Sequence, residues 1–296
     1  EVRNLNALLD VAKALGAEMQ LDNLLPVIIS KTTEVIDAER SSLFIYDEET
    51  NEMWSKVAEG MDSKEIRFPV GVGIAGDVAK TLKTVNIPDA YKDDRFNPAF
   101  DKETNYRTKS ILCMPMLNND GALVGVVQVL NKKDGSTFDD KDESLLEALS
   151  VQAGVAIQRA RLLEAFVEKQ RIQESLKLAA DIQMGMLPKD FPAFPDRDDF
   201  DLFASIIPAK EVGGDFYDFF LIDDDHLCFV IGDVSGKGVP AALFMAVTKT
   251  HVAASTIPGK EPSDILIRAN DELCKENDQG MFCTIFYGSL NTKTGE

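Results

Sequence analysis

At 296 residues, 45% hydrophobic and 27% charged, the chain has room for two domains that each bury a core of their own. A net charge of −19 excludes a nucleic-acid binder, which needs clustered Lys and Arg, and excludes adhesion to anionic membranes; no apolar run reaches membrane-spanning length. Four isolated cysteines and the lack of a visible signal peptide point to a reducing cytoplasm, and the missing start Met reads as a piece cut from a longer protein.

Leu5, Leu8, Leu9, Ala12 and Leu15 keep helical spacing, so residues 2–37 read as helix, with Asp22 able to cap a second segment near Leu24. From Ser41 the period shortens. Residues 41–46 read as a strand, 47–51 as a hairpin turn and 53–58 as the returning strand. Another extended piece is expected at 66–69, and Gly71-Val-Gly-Ile-Ala-Gly76 opens a short helix through Lys80. Strands at 110–117 and 122–131 are joined by the turn Asn118-Asn-Asp-Gly121. The result is an α+β domain over residues 1–160, an antiparallel sheet with flanking helices.

A helix then starts near Asp139 and continues. Leu146, Leu149, Ala153, Ala156, Ala160, Leu163 and Val167 hold a 3-4 spacing, and Ile172, Leu176, Ala179, Gln183 and Met186 form a second seam out of phase with the first. Two readings stay open: a parallel homodimeric coiled coil with a register break near Lys169, or one long amphipathic helix packed on its own domain. Residues 161–190 form this helical linker, which ends at Leu187-Pro188. A second α+β pattern fills 191–296, with strands expected at 200–208, 215–221, 226–233 and 281–290 and helices at 240–255 and 263–276.

The sharpest chemical pattern is Gly213-Gly-Asp-Phe-Tyr-Asp218 followed by Gly232-Asp-Val-Ser-Gly-Lys-Gly238. Asp215 and Asp233 sit at strand ends beside glycines, where backbone can approach an ion. Two carboxylates that close repel unless a cation lies between them, and hard dications with oxygen ligands fit. On its own the pattern is also that of an ordinary acid-glycine turn. His226 and His251 are read as structural.

The motifs extend further. Ala179-Ala-Asp-Ile-Gln-Met-Gly-Met-Leu-Pro188, Pro208-Ala-Lys-Glu-Val-Gly-Gly-Asp-Phe-Tyr-Asp218, Val230 through Ala246, and Met281-Phe-Cys-Thr-Ile-Phe-Tyr-Gly288 resemble the bacterial RsbU/SpoIIE branch of the PPM metal-dependent protein phosphatases. The resemblance implies a partial PPM-type α/β sandwich with two Mn²⁺ or Mg²⁺ ions. Asp233 would bridge both metals, the Val234 carbonyl would contribute, and Asp215 would bind one metal with Asp218 behind it. Asp215 and Asp233 are thus the catalytic and metal residues expected. The family's later Asp-Gly motif and C-terminal aspartate are missing before Glu296, so the phosphatase portion reads as truncated and this chain as catalytically impaired.

Residues 1–160 resemble the GAF domains of cyclic-nucleotide phosphodiesterases and cyanobacterial adenylyl cyclases. They do so on Asn86-Ile-Pro-Asp-Ala-Tyr91, Tyr106-Arg-Thr108, Ile111-Leu-Cys-Met-Pro115, Gly125 through Lys132, and the dispersed set Asn131-Lys132, Phe138, Asp142-Glu143. The dispersed set is expected to support the fold through a Lys132–Asp142 ion pair. By resemblance, Ser42 and Glu59 meet a purine, and Gly73, Ile74 and Ala75 offer backbone amides to a phosphate. Asn97, Asp101, Thr104 and Thr108 line a lid over 92–108, and Gln128 lies on the floor; cAMP is favoured over cGMP. Together the two resemblances imply a cAMP-regulated phosphatase of a bacterial partner-switching pathway. Its substrate would be a phosphoserine or phosphothreonine protein such as an anti-sigma-factor antagonist. The alternatives are a ligand-binding and dimerisation module with an incomplete effector, or a cyclic-nucleotide-degrading enzyme. Two histidines argue against the latter, whose metal sites are His-rich.

Overall fold

The structure, a computed structural model, describes residues 2–55, 66–275 and 277–296, with side chains from Leu9 onward apart from Glu103. It divides into two compact units, one up to Glu168 and one from Lys169 on. Among the described residues no helix is long and apolar enough to cross a membrane.

The first unit is built on a six-stranded antiparallel sheet. Its strands are β1 (Ala38–Asp47), β2 (Glu52–Ser55), β3 (Ile66–Pro69), β4 (Val85–Ile87), β5 (Ile111–Leu117) and β6 (Leu123–Lys132), in the order β3-β2-β1-β6-β5-β4. The two-residue period of a strand sends alternate side chains to opposite faces, and here both faces are covered. Leu43, Ile45, Leu112, Met114 and Val127 pack under α2 (Leu21–Ile36) and the long α5 (Asp140–Gly185). Phe44, Ile111, Cys113 and Val126 pack on the other side with Ile74 and Val78 of α3 (Gly73–Thr81). Gly154 lets α5 lie against the end of β5, since a Cβ there would stand 2.3 Å from the Leu117 carbonyl oxygen.

The expected helix over 2–37 is two helices, α1 (Val2–Ala17) and α2. Asp22 sits in the first turn of α2 rather than at its cap, which is Gln20; there its charge still suits the helix N-terminus. α5 fastens this joint with two opposite charges. The Arg159 guanidinium donates to the Leu15 and Glu18 carbonyls at 2.8 and 2.7 Å, and Glu164 accepts from the Leu21 N–H at 3.1 Å. Cations belong at a helix C-terminus and anions at an N-terminus. β4 and α4 (Ala99–Thr104) were not expected, and of the strand expected at 53–58 the last three residues lie outside those described.

Of the two readings of the long helix, its first half follows the second. Leu146, Leu149, Ala153, Ala156 and Ala160 are buried in the first unit's own core and form no inter-chain seam. At about 100° per residue, Val151, Val155, Leu162 and Phe166 fall on the opposite side of the helix, and all four are exposed.

In the second unit a three-stranded antiparallel sheet runs in the order β7 (Phe216–Leu221), β8 (His226–Val234), β9 (Cys283–Asn291). Phe216, Cys228, Val230, Val234 and Tyr287 pack on one face against Met245, Val252, Ile265 and Ala269 of α6 (Val239–Ser255) and α7 (Pro262–Lys275). The other face carries Ile231 and Phe286, both exposed. No strand forms at 200–208. An extended segment becomes a strand only by sharing a ladder, and no described strand pairs with this one; Ile207 is 93% exposed.

Candidate functional site

A cavity of about 620 Å³ opens between the upper face of the first sheet and the segment 93–108, within the usual range for small-molecule sites. Its floor follows from strand alternation: Arg40, Ser42 and Phe44 share a face of β1, and the register sets Ser42 opposite Gln128 of β6. One wall is the start of α3, where Gly73 holds a left-handed φ of +69° and the cap residue Val72 offers no side-chain bond to the first-turn amides. Such amides are an anion site.

Ser42, Gly73, Ile74, Ala75, Asn97, Asp101, Thr104, Thr108 and Gln128 all line this one cavity; Glu59 lies outside the described residues. Their chemistry differs from what the sequence suggests. Asp101 is buried and already committed: it accepts from the Thr108 N–H and hydroxyl, both at 2.7 Å, and from the Tyr91 hydroxyl at 2.9 Å. The Asn97 side chain accepts from the Ala99 N–H at 3.0 Å, and the Thr104 hydroxyl donates to the Phe100 carbonyl at 2.7 Å. These residues shape the roof. Among the described residues, by contrast, no protein hydrogen bond engages the side chains of Ser42 and Gln128. Arg40 was missed. It lines the cavity with its guanidinium 4.0 Å from the Tyr106 ring centre, and no carboxylate pairs with it among the described residues. The alternation of β1 that faces Ser42 to the cavity also faces Arg40 there.

Beneath the cavity, Lys132 donates to both Asp142 oxygens at 2.9 and 2.8 Å, as expected from the sequence. Asn131, at a left-handed φ of 50°, accepts from the Lys109 and Ser110 N–H groups and donates to Glu39, Tyr106 and the Arg107 carbonyl. Asn131, contributing most, and the Tyr106 hydroxyl both donate to Glu39 and hold its carboxyl below the usual range. Asn86 joins Glu143 at 2.7 Å. None of Asn131, Lys132, Phe138, Asp142 or Glu143 lines the cavity.

In the second unit Phe216 pairs with Gly232, so Asp215 and Asp233, one position further on, stand opposite each other at the open end of the β7–β8 ladder. Side chains so placed are about 5 Å apart. Burial, then the charge and hydrogen bond of Asp233, push Asp215 upward. Gly214 lets the entering chain pass close to the Val234 carbonyl, since a Cβ there would lie 2.7 Å from that oxygen. Both aspartates border the cavity on the open sheet face, and Val234 does not. Asp218 also departs from expectation: its neighbour Phe216 and its own alternation turn it to the helical side, where it pairs with Lys249 at 2.7 Å. Among the described residues no group of three His, Cys, Asp or Glu is placed to hold a metal. The facing carboxylates fit one shared dication as two of its ligands. His226 binds Asp223 at 2.8 Å in the β7–β8 turn, a structural contact.

Comparison with known proteins follows this division. Residues 20–157 match the family described as GAF domain, and residues 223–296 match stage II sporulation protein E, SpoIIE. A GAF domain and a SpoIIE-type segment are therefore present. The dual 3',5'-cyclic-AMP and -GMP phosphodiesterase 11A of Takifugu rubripes is 39% identical over 169 residues, which is 53% of this chain and 19% of that protein. The cGMP-specific 3',5'-cyclic phosphodiesterase of Drosophila pseudoobscura pseudoobscura is 33% identical over 190 residues, 59% of this chain and 17% of that one. The chain thus spans less than a fifth of either relative. The solved GAF domain of a phosphoenolpyruvate-protein phosphotransferase from Coxiella burnetii shares the fold, with a TM-score of 0.50 at 22% identity; the match covers 55% of this chain and 96% of that one.

Proposed function

We propose that this chain, a GAF domain followed by a SpoIIE-type segment, is the sensing part and the beginning of the effector part of a cAMP-regulated, dication-dependent protein serine/threonine phosphatase. The observation that carries the reading is the cavity, where the free polar groups Arg40, Ser42 and Gln128 and the first-turn amides of α3 converge on one space. A cyclic nucleotide has the matching parts. Its purine edge meets Ser42, Gln128 and Arg40, and its phosphate meets the amides of Gly73, Ile74 and Ala75. The similarity to cyclic-nucleotide phosphodiesterases supports the ligand class.

In the effector, Asp215 and Asp233 would hold Mn²⁺ or Mg²⁺, with the Val234 carbonyl contributing as the family resemblance implies. A dication bound there supplies a water activated for attack on a phosphoserine or phosphothreonine. The carboxylates would fix the ion's place, and Gly214 lets the chain carrying Asp215 pass close to the Val234 backbone. The substrate in this reading is a phosphoprotein of a bacterial partner-switching pathway, such as an anti-sigma-factor antagonist, in the cytoplasm. The working boundaries are a GAF sensor at 1–160, a helical linker at 161–190 and the start of the phosphatase domain at 191–296. One observation favours the rival reading, a binding module with an incomplete effector: only two acidic ligands come together among the described residues. The test is phosphate release from a phosphoserine protein with Mn²⁺, with and without cAMP. Release that changes with cAMP supports the proposal, and binding of cAMP without any release supports the module.

The proposal includes a parallel homodimer joined along α5. The stripe Val151, Val155, Leu162 and Phe166 is the surface it would use, because its two-fold copy presents the same residues. Substituting Leu162→Glu together with Phe166→Glu is expected to halve the mass measured by light scattering after gel filtration. An unchanged dimer, or a parent chain that is already monomeric, would refute this interface.

A further inference from the structure

The cavity is roofed by residues 93–108 and stays partly open to solvent, so movement of that roof sets how readily a ligand enters and leaves. The roof is fastened to itself at its base. The Ala90 N–H donates to the Lys109 carbonyl at 2.7 Å, so the chain leaves and returns at one point. Asp101 ties α4 to Tyr91 and Thr108 on the two sides of that point. The Arg107 guanidinium lies 4.7 Å from the Tyr91 ring centre, and Tyr91 packs on Phe96 at 5.1 Å. The base is then anchored to the sheet by the Asn131 fan and by Tyr106, whose hydroxyl donates to Glu39 at 2.8 Å. A segment braced this way moves as one piece about its base.

Across the cavity, a single ion pair among the described residues joins the roof to the rest of the unit. Arg95 Nη1 reaches Asp77 Oδ2 of α3 at 2.6 Å. The other two nitrogens of Arg95 stay within the roof, Nε and Nη2 lying on the two Asp93 oxygens at 2.9 and 2.7 Å. This division of the guanidinium matters. When the Asp77 contact breaks, Arg95 keeps a two-point carboxylate partner and Asp77 turns to water, so opening strands no charge. The contact is also partly solvated, with Arg95 38% and Asp77 30% exposed, which keeps it weak enough to release.

We propose that the Arg95–Asp77 ion pair is the release point of the roof, with Asp93 as the partner that carries Arg95 while the roof is open. The inference rests on the cavity being a ligand pocket, and it assigns the regulation of entry to three residues of which only Arg95 lines the cavity.

Two variants read it out with opposite signs. Asp77→Asn removes the far attachment; amide hydrogen exchange over residues 96–106 of the nucleotide-free protein is expected to rise several-fold, with β5 and β6 unchanged. Asp93→Asn leaves Arg95 dependent on Asp77, so exchange over the same amides is expected to fall. In stopped flow with a fluorescent cAMP derivative, Asp77→Asn is expected to raise association and dissociation rates together, by about fivefold, leaving Kd within about twofold. Unchanged exchange in both variants, the same sign in both, or a change in dissociation alone would overturn the proposal. If the parent chain binds no nucleotide, the pocket reading fails, and the exchange measurements still decide the release point.

Discussion

With Asp233→Asn, Mn²⁺ is expected to stop stabilising the second unit. A ligand at about a hundred times its dissociation constant adds about 2.7 kcal/mol to the unfolding free energy, and a variant that cannot bind shows none of it. The reasoning starts from the β7–β8 register, which sets Asp215 opposite Asp233. Without a cation this arrangement is unfavourable. Burial and the neighbouring Asp233 raise Asp215, so the folded state binds a proton more tightly there than the unfolded chain does. The associated stability is therefore fully present below the ordinary aspartate range, and it is lost as pH rises through the raised value. At neutral pH the metal-free pair is repulsive, and both side chains are exposed enough to hold the cost to a few tenths of a kcal/mol. Asp233→Asn should thus make the EDTA-treated chain slightly more stable than the parent at pH 7, with the gain vanishing in acid, while abolishing the Mn²⁺ effect. Thermal unfolding with and without Mn²⁺ measures both. Equal Mn²⁺ shifts in parent and variant would remove Asp233 from the site.

The largest loss in the first unit is expected from Asp142→Ala, about 2–3 kcal/mol in denaturant unfolding. Asp142 holds Lys132 with both oxygens and also accepts the Asp139 N–H at 2.9 Å, at the start of α5. The pair is largely sheltered, at 17% and 11% side-chain exposure, so truncation leaves an ammonium with little water and no partner. In the parent chain the bond to Asp142 raises Lys132; the truncation removes that bond while the burial that disfavours the charge remains. Lys132→Met placed beside Asp142→Ala should recover part of the loss, because breaking a sheltered pair costs more than replacing it. A loss below about 1 kcal/mol for the single variant would mean that the pair does not hold α5 to the sheet.

The parts of this molecule that the sequence disclosed are those where a local pattern and the tertiary environment agree. β5 and β6 were legible because two apolar runs are joined by an Asn-Asn-Asp-Gly turn, and that turn brings them together as an antiparallel pair. The Lys132–Asp142 pair was legible from a dispersed motif. What stayed hidden needs non-local information. β4 and α4 are short, and their formation depends on β5 and on Asp101 rather than on any period of their own. Residues 200–208 alternate like a strand but find no described neighbour, so pattern alone overstated them. The first helical seam was real, yet periodicity cannot tell a domain's own core from a partner helix, and here it was the core. Asp101, placed on the lid by the family resemblance, lines the cavity, and its three hydrogen bonds hold the roof together. Arg40 could have been found by carrying the Ser42 face one step back along β1. Asp218 and Val234 were assigned from the family resemblance. Strand alternation turns the Asp218 carboxylate to Lys249 on the helical side although the residue also borders the cavity, and Val234 does not border it.

In the first unit a purine-sized ligand is proposed to be held by Ser42, Gln128 and Arg40 while the first turn of α3 takes its phosphate. Calorimetric titration of this chain with cAMP and cGMP tests that directly. The expected result is one site per chain, with a cAMP dissociation constant below about 1 μM, or about −8 kcal/mol, weaker binding of cGMP, and a marked loss in Arg40→Ala. Absence of binding heat and of competition for either nucleotide, with the fold intact, would contradict it.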